Sequence, residues 1–369
     1  MKKTYSTQII QENAVVIAVA TKKTDDIARK LSEITRLCET ANLNVVGKFS
    51  QIIKDFNKST VIGKGKLDEV YDFITFCPEE VDVVIVDYPL TGSQAKNISD
   101  FLNVKVVDRI GLIIDIFAQG AKSKEALLQV KLAQDSYILP RLSQISGTSG
   151  RFGGAGVGMR GPGESKLELN RRILEKEMDS LKKQIAKIKE QREFNRRSRN
   201  KSALPKIALV GYTNAGKSSL LNVLAKEKIY ADDKYFATLD TTSRKLYLGD
   251  GKYAVITDTV GFISDLPTVL IEAFSSTLEE AVDADLILHV VDRSLTSKTD
   301  KGIEFEDNMK VTNDLLDELG ATENRIVVFN KCDLLKKPIE IKENEVLVST
   351  KEKTGIDNLL AKIRANFEK

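Results

Sequence analysis

The chain has 369 residues and a formal net charge of +3, and 42% of its residues are hydrophobic while 30% are charged. This length exceeds the usual size of a single hydrophobic core, so we expect two or three domains. The composition argues against a disordered chain. No apolar run is long enough to cross a bilayer, so we expect no stable membrane insertion.

The cysteines and the N-terminus favour a cytoplasmic protein. Cys38, Cys77 and Cys332 are far apart in sequence and form no C-x-x-C pair, which predicts neither a disulfide framework nor a zinc site. The apolar stretch AVVIAVAT is short and follows polar residues, so we interpret it as a first core strand and not as an export signal.

Residues 1–107 are predicted to form a small parallel α/β domain. Short β-branched runs at 14–21, 43–49, 81–90 and 104–109 alternate with helical patterns such as 25–42 and 93–102. This alternation is typical of a parallel sheet with helical crossovers.

Residues 108–201 are predicted to form a helical hairpin. A coiled-coil seam is indicated by apolar residues spaced alternately four and three apart, and residues 123–145 supply the partner helix. We interpret the stretch SYILPRLSQ, which Pro140 interrupts, as the end of that partner helix. The seam residues are Leu174, Met178, Leu181, Ile185 and Ile188.

The positive charge is concentrated in the hairpin. Residues 141–201 carry 16 basic and 7 acidic side chains, whereas residues 1–140 carry 18 of each and residues 202–369 carry 22 and 28. This excess predicts contact with RNA, and a solvated helix face is the alternative. The candidate RNA contacts are Arg151, Arg160, Arg192, Arg196, Arg197 and Arg199.

A glycine-rich loop at residues 147–163 separates the two long helices. It contains the dinucleotide-binding spacing Gly156-x-Gly158-x-x-Gly161, but no strand pattern precedes it, so we do not assign it a cofactor. Two interpretations stay open for this loop: it orders on RNA, or it is a hinge between helices.

Residues 202–369 are predicted to form a P-loop G domain. A strand pattern at 206–210 leads into G-x-x-x-x-G-K-S, and a helix follows. Backbone N–H groups suit the β-phosphate, Lys217 adds charge at the β and γ oxygens, and the Ser218 hydroxyl suits Mg²⁺. The candidate nucleotide contacts here are Gly211, Tyr212, Thr213, Asn214, Ala215, Gly216, Lys217, Ser218 and Ser219.

Later strand ends complete a guanine-nucleotide site. Asp258 is placed near the Mg²⁺, through water, and Gly261 near the γ-phosphate. Asp333 can accept hydrogen bonds from N1–H and the exocyclic amine of guanine, which adenine does not offer as a pair. The supporting contacts are Asn330 and Lys331 in the same motif and Ser349, Thr350 and Lys351, which resemble the S-A-K loop of GTPases.

The stretch FATLDTT contains the predicted switch, with Phe236 beside the nucleotide. Thr238 is the best candidate to join Mg²⁺ when a γ-phosphate is present, and Thr241 and Thr242 are close alternatives. We therefore expect a GTPase whose catalytic residues are Lys217, Thr238 and Gly261.

Phe262 occupies the position where Ras-type enzymes place a water-orienting glutamine, which predicts slow intrinsic hydrolysis. Activation is then expected from a partner acting in trans or from a cation. Asn214 resembles the asparagine with which potassium-activated GTPases hold K⁺, and the alternative is that its amide caps the loop.

Several stretches together resemble the HflX family of translation-associated GTPases over nearly the whole chain. They are GKGKLDEV, VVDRIGLIIDIFAQGA, VKLAQDSYILPRL, RGPGESKLE, FATLDTT and DTVGF. The resemblance implies an α/β domain, a helical hairpin and a G domain with a mostly parallel mixed sheet and helices on both faces. It also implies that GTP and GDP bind, that the large ribosomal subunit and its rRNA are partners, and that stalled or idle ribosomes are split. We expect a monomer.

Some features depart from that family. Ser165, Asn170 and Thr241 stand where threonine, aspartate and proline are common, and we expect the C-terminal extension of many bacterial relatives to be absent or minimal. An alternative function is an ATP-driven RNA remodeller with a second nucleotide site in the N-terminal domain. That domain contains Gly63-Lys-Gly65-Lys66 but no full phosphate loop. A third alternative is a tRNA-modifying partner GTPase, but the cysteine-bearing C-terminal motif of that class is not present in this sequence.

Overall fold

The computed structural model describes eleven stretches of the chain, which are residues 11–20, 27–53, 57–146, 162–199, 204–225, 242–263, 275–295, 298–299, 302–321, 324–335 and 339–368. The chain divides into two units. One comprises Met1–Ile116 with Ser136–Glu175, and the other comprises Phe117–Asp135 with Lys176–Lys369.

The N-terminal sheet confirms the predicted parallel α/β fold. Its four strands are all parallel and lie in the order β2-β1-β3-β4. The inner strands β1 and β3 are almost wholly buried, as expected for strands covered on both faces. The elements are β1 (Glu12–Ala20), α1 (Ile27–Thr40), β2 (Leu43–Ile52), α2 (Lys64–Phe76), β3 (Val83–Asp87), α3 (Gly92–Leu102) and β4 (Lys105–Asp108).

Three helices follow the first sheet: α4 (Arg109–Gly120), α5 (Lys124–Ser146) and α6 (Pro162–Arg199). In α6 the residues of the predicted seam are the protected ones, and Leu181 among them is 6% exposed. Nζ of Lys131 in α5 lies 3.6 Å from Oε1 of Glu177 in α6. Arg192 of α6 forms a second ion pair with Glu125 of α5. These ion pairs place the first half of α5 alongside residues 177–192 of α6 in an antiparallel arrangement.

The predicted partner helix at 123–145 is confirmed, because α5 spans Lys124–Ser146 and continues through Pro140. Side chains on both sides of the proline bind the carboxylate of Asp108. Tyr137 Oη donates to Oδ1 and Arg141 Nη2 to Oδ2, each at 2.7 Å. Asp108 also accepts from the backbone N–H of Leu90 at 2.9 Å. These contacts hold the helix across the proline and offset the hydrogen bond that the proline removes.

The second sheet has six strands in the order β12-β11-β8-β5-β7-β6, and all neighbours are parallel except β6 and β7. A separate antiparallel pair joins β9 to β10. The elements are β5 (Lys206–Val210), α7 (Lys217–Ala225), β6 (Thr242–Gly249), β7 (Lys252–Asp258), α8 (Ser275–Val282), β8 (Leu286–Asp292), β9 (Lys298–Thr299), β10 (Gly302–Ile303), α9 (Glu304–Glu318), β11 (Arg325–Asn330), β12 (Glu345–Leu347) and α10 (Ile356–Phe367).

Helices cover both faces of this sheet, as predicted for a G domain. One apolar core includes Leu221 of α7 and Leu359 of α10, and the other includes Ala281 of α8 and Leu316 of α9. Because β5, β7, β8 and β11 are parallel, their carboxyl ends meet at one edge, where ligands bind in open α/β sheets. None of the described helices is long and apolar enough to cross a membrane.

Candidate functional site: a nucleotide site at the carboxyl ends of the strands

The phosphate loop leaves the end of β5 and is paired with the segment that follows β7. Thr213 N–H donates to Phe262 O at 2.7 Å, and Phe262 N–H donates to Gly211 O at 3.1 Å. Lys217, the first residue of α7, donates from Nζ to the carbonyls of Gly211 at 3.0 Å and Tyr212 at 3.1 Å. The loop therefore wraps around the lysine that was predicted to meet the phosphates.

Asn214 lies in the left-handed region, with φ of 60°. Asparagine is enriched there among non-glycine residues, so the backbone gives one reason for this residue type. Its side-chain amide forms no hydrogen bond with another residue in the part of the chain that the structure describes. The capping alternative thus finds no support among those residues, and the K⁺ contact stays a prediction.

Burial changes the acidity of Lys217. The side chain is buried, and desolvation of the ammonium lowers its pKa from 10.5 to about 8, although nearby Asp258 opposes this shift. Bound phosphate would favour the charged form and raise the pKa again. Nucleotide binding is therefore coupled to protonation of this residue.

We expect GDP affinity to fall as pH rises above 8. In that range binding must protonate Lys217, so the affinity falls by up to about ten-fold per pH unit. Calorimetry at pH 8.5 in buffers of different ionisation enthalpy checks this expectation, because it measures proton uptake on binding. Binding without proton uptake would contradict it.

Two of the three residues predicted at the Mg²⁺, Ser218 and Asp258, lie in contact. Ser218 Oγ donates to Asp258 Oδ2 at 2.6 Å, and Asp258 is 1% exposed at the end of β7. The next residue, Thr259, anchors this end by donating from Oγ1 to Leu209 O at 2.7 Å. A hydroxyl and a carboxylate are the hard oxygen donors that Mg²⁺ prefers, so the residues fit this ion.

Gly261 lies against the phosphate loop, as its predicted role requires. A Cβ at this position would stand 2.8 Å from Thr213 Cα and 2.9 Å from Lys217 Nζ, so only glycine permits this approach. The neighbouring Phe262 is 2% exposed and packs in the core under α8 and α9. Its ring therefore points away from the reacting phosphates and cannot orient water there.

The base-recognition residues are connected to the phosphate loop. Asn330 donates from Nδ2 to Ala215 O at 2.9 Å, and its Oδ1 accepts from Thr350 N–H at 3.2 Å. Ser349 Oγ donates to Asp333 Oδ1 at 2.6 Å and so orients the carboxylate predicted to select guanine. Three separate sequence motifs thus form one site.

Asp292 is a site residue that the sequence reasoning missed. It ends β8, and its Oδ2 lies 2.7 Å from Nζ of Lys331 in the guanine motif, while its Oδ1 accepts from Ser294 N–H at 3.0 Å. The signal was present in LILHVVD, where a carboxylate ends an apolar strand in the same way as Asp258.

The roles predicted for several other residues stay predictions. Lys351 is exposed and Ser219 half-buried. Phe236, Thr238, Arg151 and Arg160 lie outside the described residues. Arg192 is half-exposed and pairs with Glu125. Arg196, Arg197 and Arg199 lie in α6, and their side chains are outside the described part of the structure.

Three family models match successive parts of the chain. Their descriptions are "GTP-binding GTPase N-terminal" for residues 28–118, "GTP-binding GTPase Middle Region" for residues 120–199, and "50S ribosome-binding GTPase" for residues 206–331.

Curated relatives match over nearly the whole length. GTPase HflX of Caldanaerobacter subterraneus is 45% identical over 97% of this chain and 81% of its own. GTPase HflX of Escherichia coli is 35% identical over 94% of this chain and 81% of its own. The fold is similar to that of a GDP-bound GTP-binding protein from Sulfolobus solfataricus, with a TM-score of 0.52, 23% identity and coverage of 96% and 98%.

Proposed function

The chain belongs to the HflX family of GTPases, and on that premise we propose that it binds the large ribosomal subunit in its GTP form and splits stalled or idle ribosomes. The observation that carries the proposal is the continuous site made by Lys217, Asp258, Asn330 and Asp333 in a domain that matches a ribosome-binding GTPase model. The positive charge of residues 141–201 supports an rRNA partner.

Each residue of the site has a distinct role in the proposed reaction. Asp333, oriented by Ser349, selects guanine, and Asn330 holds the base loop against the phosphate loop. Lys217 neutralises charge on the phosphate oxygens, and Gly261 offers its N–H to the γ-phosphate. Ser218 and Asp258 would hold Mg²⁺, which neutralises phosphate charge when bound, with Asp258 acting through water. Thr238 would join the ion only in the GTP form.

The proposed switch and the positively charged segment 141–201 are tested together by sedimentation. Large ribosomal subunits should carry the protein with them when it holds a non-hydrolysable GTP analogue and release it in GDP. Affinity should fall steeply with salt because arginines displace counterions, and joint replacement of Arg196, Arg197 and Arg199 by alanine should lower the slope of log affinity against log salt by up to about three. Equal affinity in GTP analogue and GDP would remove the switch.

GTP turnover is expected to be faster in K⁺ than in Na⁺ at equal ionic strength. Phe262 cannot orient water, and a cation beside the β- and γ-phosphates would stabilise the growing charge in place of an arginine finger. The difference should disappear in Asn214→Ala, and phosphate release in the two salts measures it. Identical rates in K⁺ and in Na⁺, both with and without ribosomes, would leave activation to the ribosome alone.

A further inference from the structure

The outer face of the β6–β7 hairpin carries two adjacent tyrosines. Tyr247 and Tyr253 lie directly opposite each other in the antiparallel register, and their ring centroids are 5.2 Å apart. They are 52% and 36% exposed, although solvent-facing strand positions are usually polar. A cross-strand pair adds stability to a hairpin, but exposed ring faces are also surfaces on which a ligand can stack.

The hairpin holds these rings in a fixed place. Its two-residue turn consists of Asp250 and Gly251, with φ of 50° and 73°. Positive φ at both central residues is typical of a type I′ turn, whose twist matches that of the two strands in a tight hairpin. On the inner face Leu246 and Leu248 are buried in the core, so the strand cannot rotate its outer side chains away. A preorganised aromatic surface binds with little loss of side-chain entropy.

One lysine lies directly against the two rings. Lys245 is exposed, and its Nζ lies 3.8 Å from the centroid of the Tyr253 ring. Lys252 is exposed beside the turn, but it alternates to the other face of β7 and pairs there with Glu368 at 3.1 Å. Residues 242–254 contain three basic side chains and one acidic side chain, although residues 202–369 as a whole carry 22 basic and 28 acidic ones. Locally, therefore, the surface complements a polyanion.

We propose that the tyrosine face, formed by Lys245, Tyr247 and Tyr253, binds an unpaired stretch of RNA. Exposed aromatic rings beside a lysine match the stacked base and a flanking phosphate of a single strand. The inference rests on the proposed function for the identity of this RNA, the rRNA of the large subunit. β6 is the outermost strand of the sheet, and Tyr247 on its outer face is 52% exposed.

RNA on this face would contact the segment that connects two parts of the nucleotide site. β6 starts at Thr242, the last residue of the predicted switch stretch FATLDTT, and β7 ends at Asp258, which contacts Ser218. A hairpin held by RNA would therefore fix the chain at both of these ends. This links occupancy of the tyrosine face to the nucleotide that the protein holds.

The test uses the full chain with a non-hydrolysable GTP analogue and isolated large ribosomal subunits. Tyr247→Ala should lower affinity about ten-fold, because stacking of one base is lost, while Tyr247→Phe keeps the ring and most of the affinity. Lys245→Ala should lower the slope of log affinity against log salt by about one phosphate contact. Matched controls elsewhere are Phe76→Ala, which removes a ring that is 82% exposed on α2, and Lys310→Ala on α9.

The outcomes separate this inference from the proposed function. Thermal unfolding and basal GTP hydrolysis should stay near wild type, which shows that the variants fold. If wild type binds subunits and Tyr247→Ala and Lys245→Ala bind equally well, the tyrosine face is not an RNA site, although the proposed function stands. A photo-crosslinking benzoylphenylalanine at position 247 that captures only ribosomal protein overturns the inference in the same way.

A second probe covers failure of the proposed function itself. If wild type does not bind subunits, a fluorescent single-stranded RNA oligonucleotide replaces them. Loss of its binding in Tyr247→Ala but not in Phe76→Ala supports the tyrosine face independently of the ribosome. An oligonucleotide that wild type does not bind, or that all variants bind equally, overturns the inference.

Discussion

Replacing Asp333 with asparagine is expected to lower GTP affinity by about 10²- to 10⁴-fold and to raise affinity for xanthosine triphosphate. The carboxylate is positioned by Ser349 Oγ, at 2.6 Å, to accept two hydrogen bonds from guanine. Each such charge-assisted bond contributes about 1.5–3 kcal/mol. In the variant, the N–H group of the asparagine amide would face an N–H group of guanine, and two donors form no hydrogen bond. Xanthine carries a carbonyl where guanine has its amine, so the asparagine amide can donate to it.

Competition binding with GTP, ATP and xanthosine triphosphate measures this change of specificity. Asp357→Asn, at an exposed position in the first turn of α10, removes the same charge without touching the site and should leave GTP affinity unchanged. Ser349→Ala should reduce affinity by a smaller factor, because the carboxylate remains but is less well oriented. Unaltered preference for GTP in Asp333→Asn would place the base elsewhere.

Strand positions and the nucleotide motifs were predictable because their signals are local. KIALV and the glycine loop after it determine where β5 ends and where the phosphates bind, and the structure places β5 at Lys206–Val210. Asp258 and Gly261 were predicted from the same local logic. The structure brings both against the phosphate loop, since all of these motifs follow parallel strands.

The parts that could not be predicted depend on long-range contacts. The contacts that flank Pro140 in α5 involve Asp108, which is more than twenty residues away in sequence and binds Tyr137 and Arg141. The pairing of Asp292 with Lys331 likewise joins two strand ends that only the sheet order makes adjacent. Local propensity describes neither contact, because tertiary contacts override it.

The same argument applies to the tyrosine face. Alternation in β6 and β7 predicts which residues face outward, but the antiparallel register decides that Tyr247 and Tyr253 are neighbours. In that respect the face resembles the link between Asn330 and Ala215, since each joins residues that are separate in sequence and share one surface of the G domain.

The hydrogen bond from Asn330 to Ala215 O is the basis of the second large effect, a loss of nucleotide affinity in Gly216→Ala. Gly216 has φ of 91°, and a Cβ there would stand 2.2 Å from Nδ2 of Asn330. The methyl group must displace the amide that donates to Ala215 O and whose oxygen accepts from Thr350 N–H. One substitution therefore strains the phosphate loop and separates it from the base-recognition loop.

The combined cost predicts a loss of nucleotide affinity of about 100-fold. Strain from positive φ costs about 1–2 kcal/mol, and one lost hydrogen bond costs about 0.5–1.5 kcal/mol. Gly320→Ala is a matched control, because its φ is 69° but no heavy atom of the described chain lies within 4 Å of the added Cβ. That variant should lose a similar amount of stability from backbone strain and keep its affinity. Equal nucleotide affinities in the two variants, measured by titration with fluorescent GDP, would show that the contact between Asn330 and the phosphate loop does not support binding.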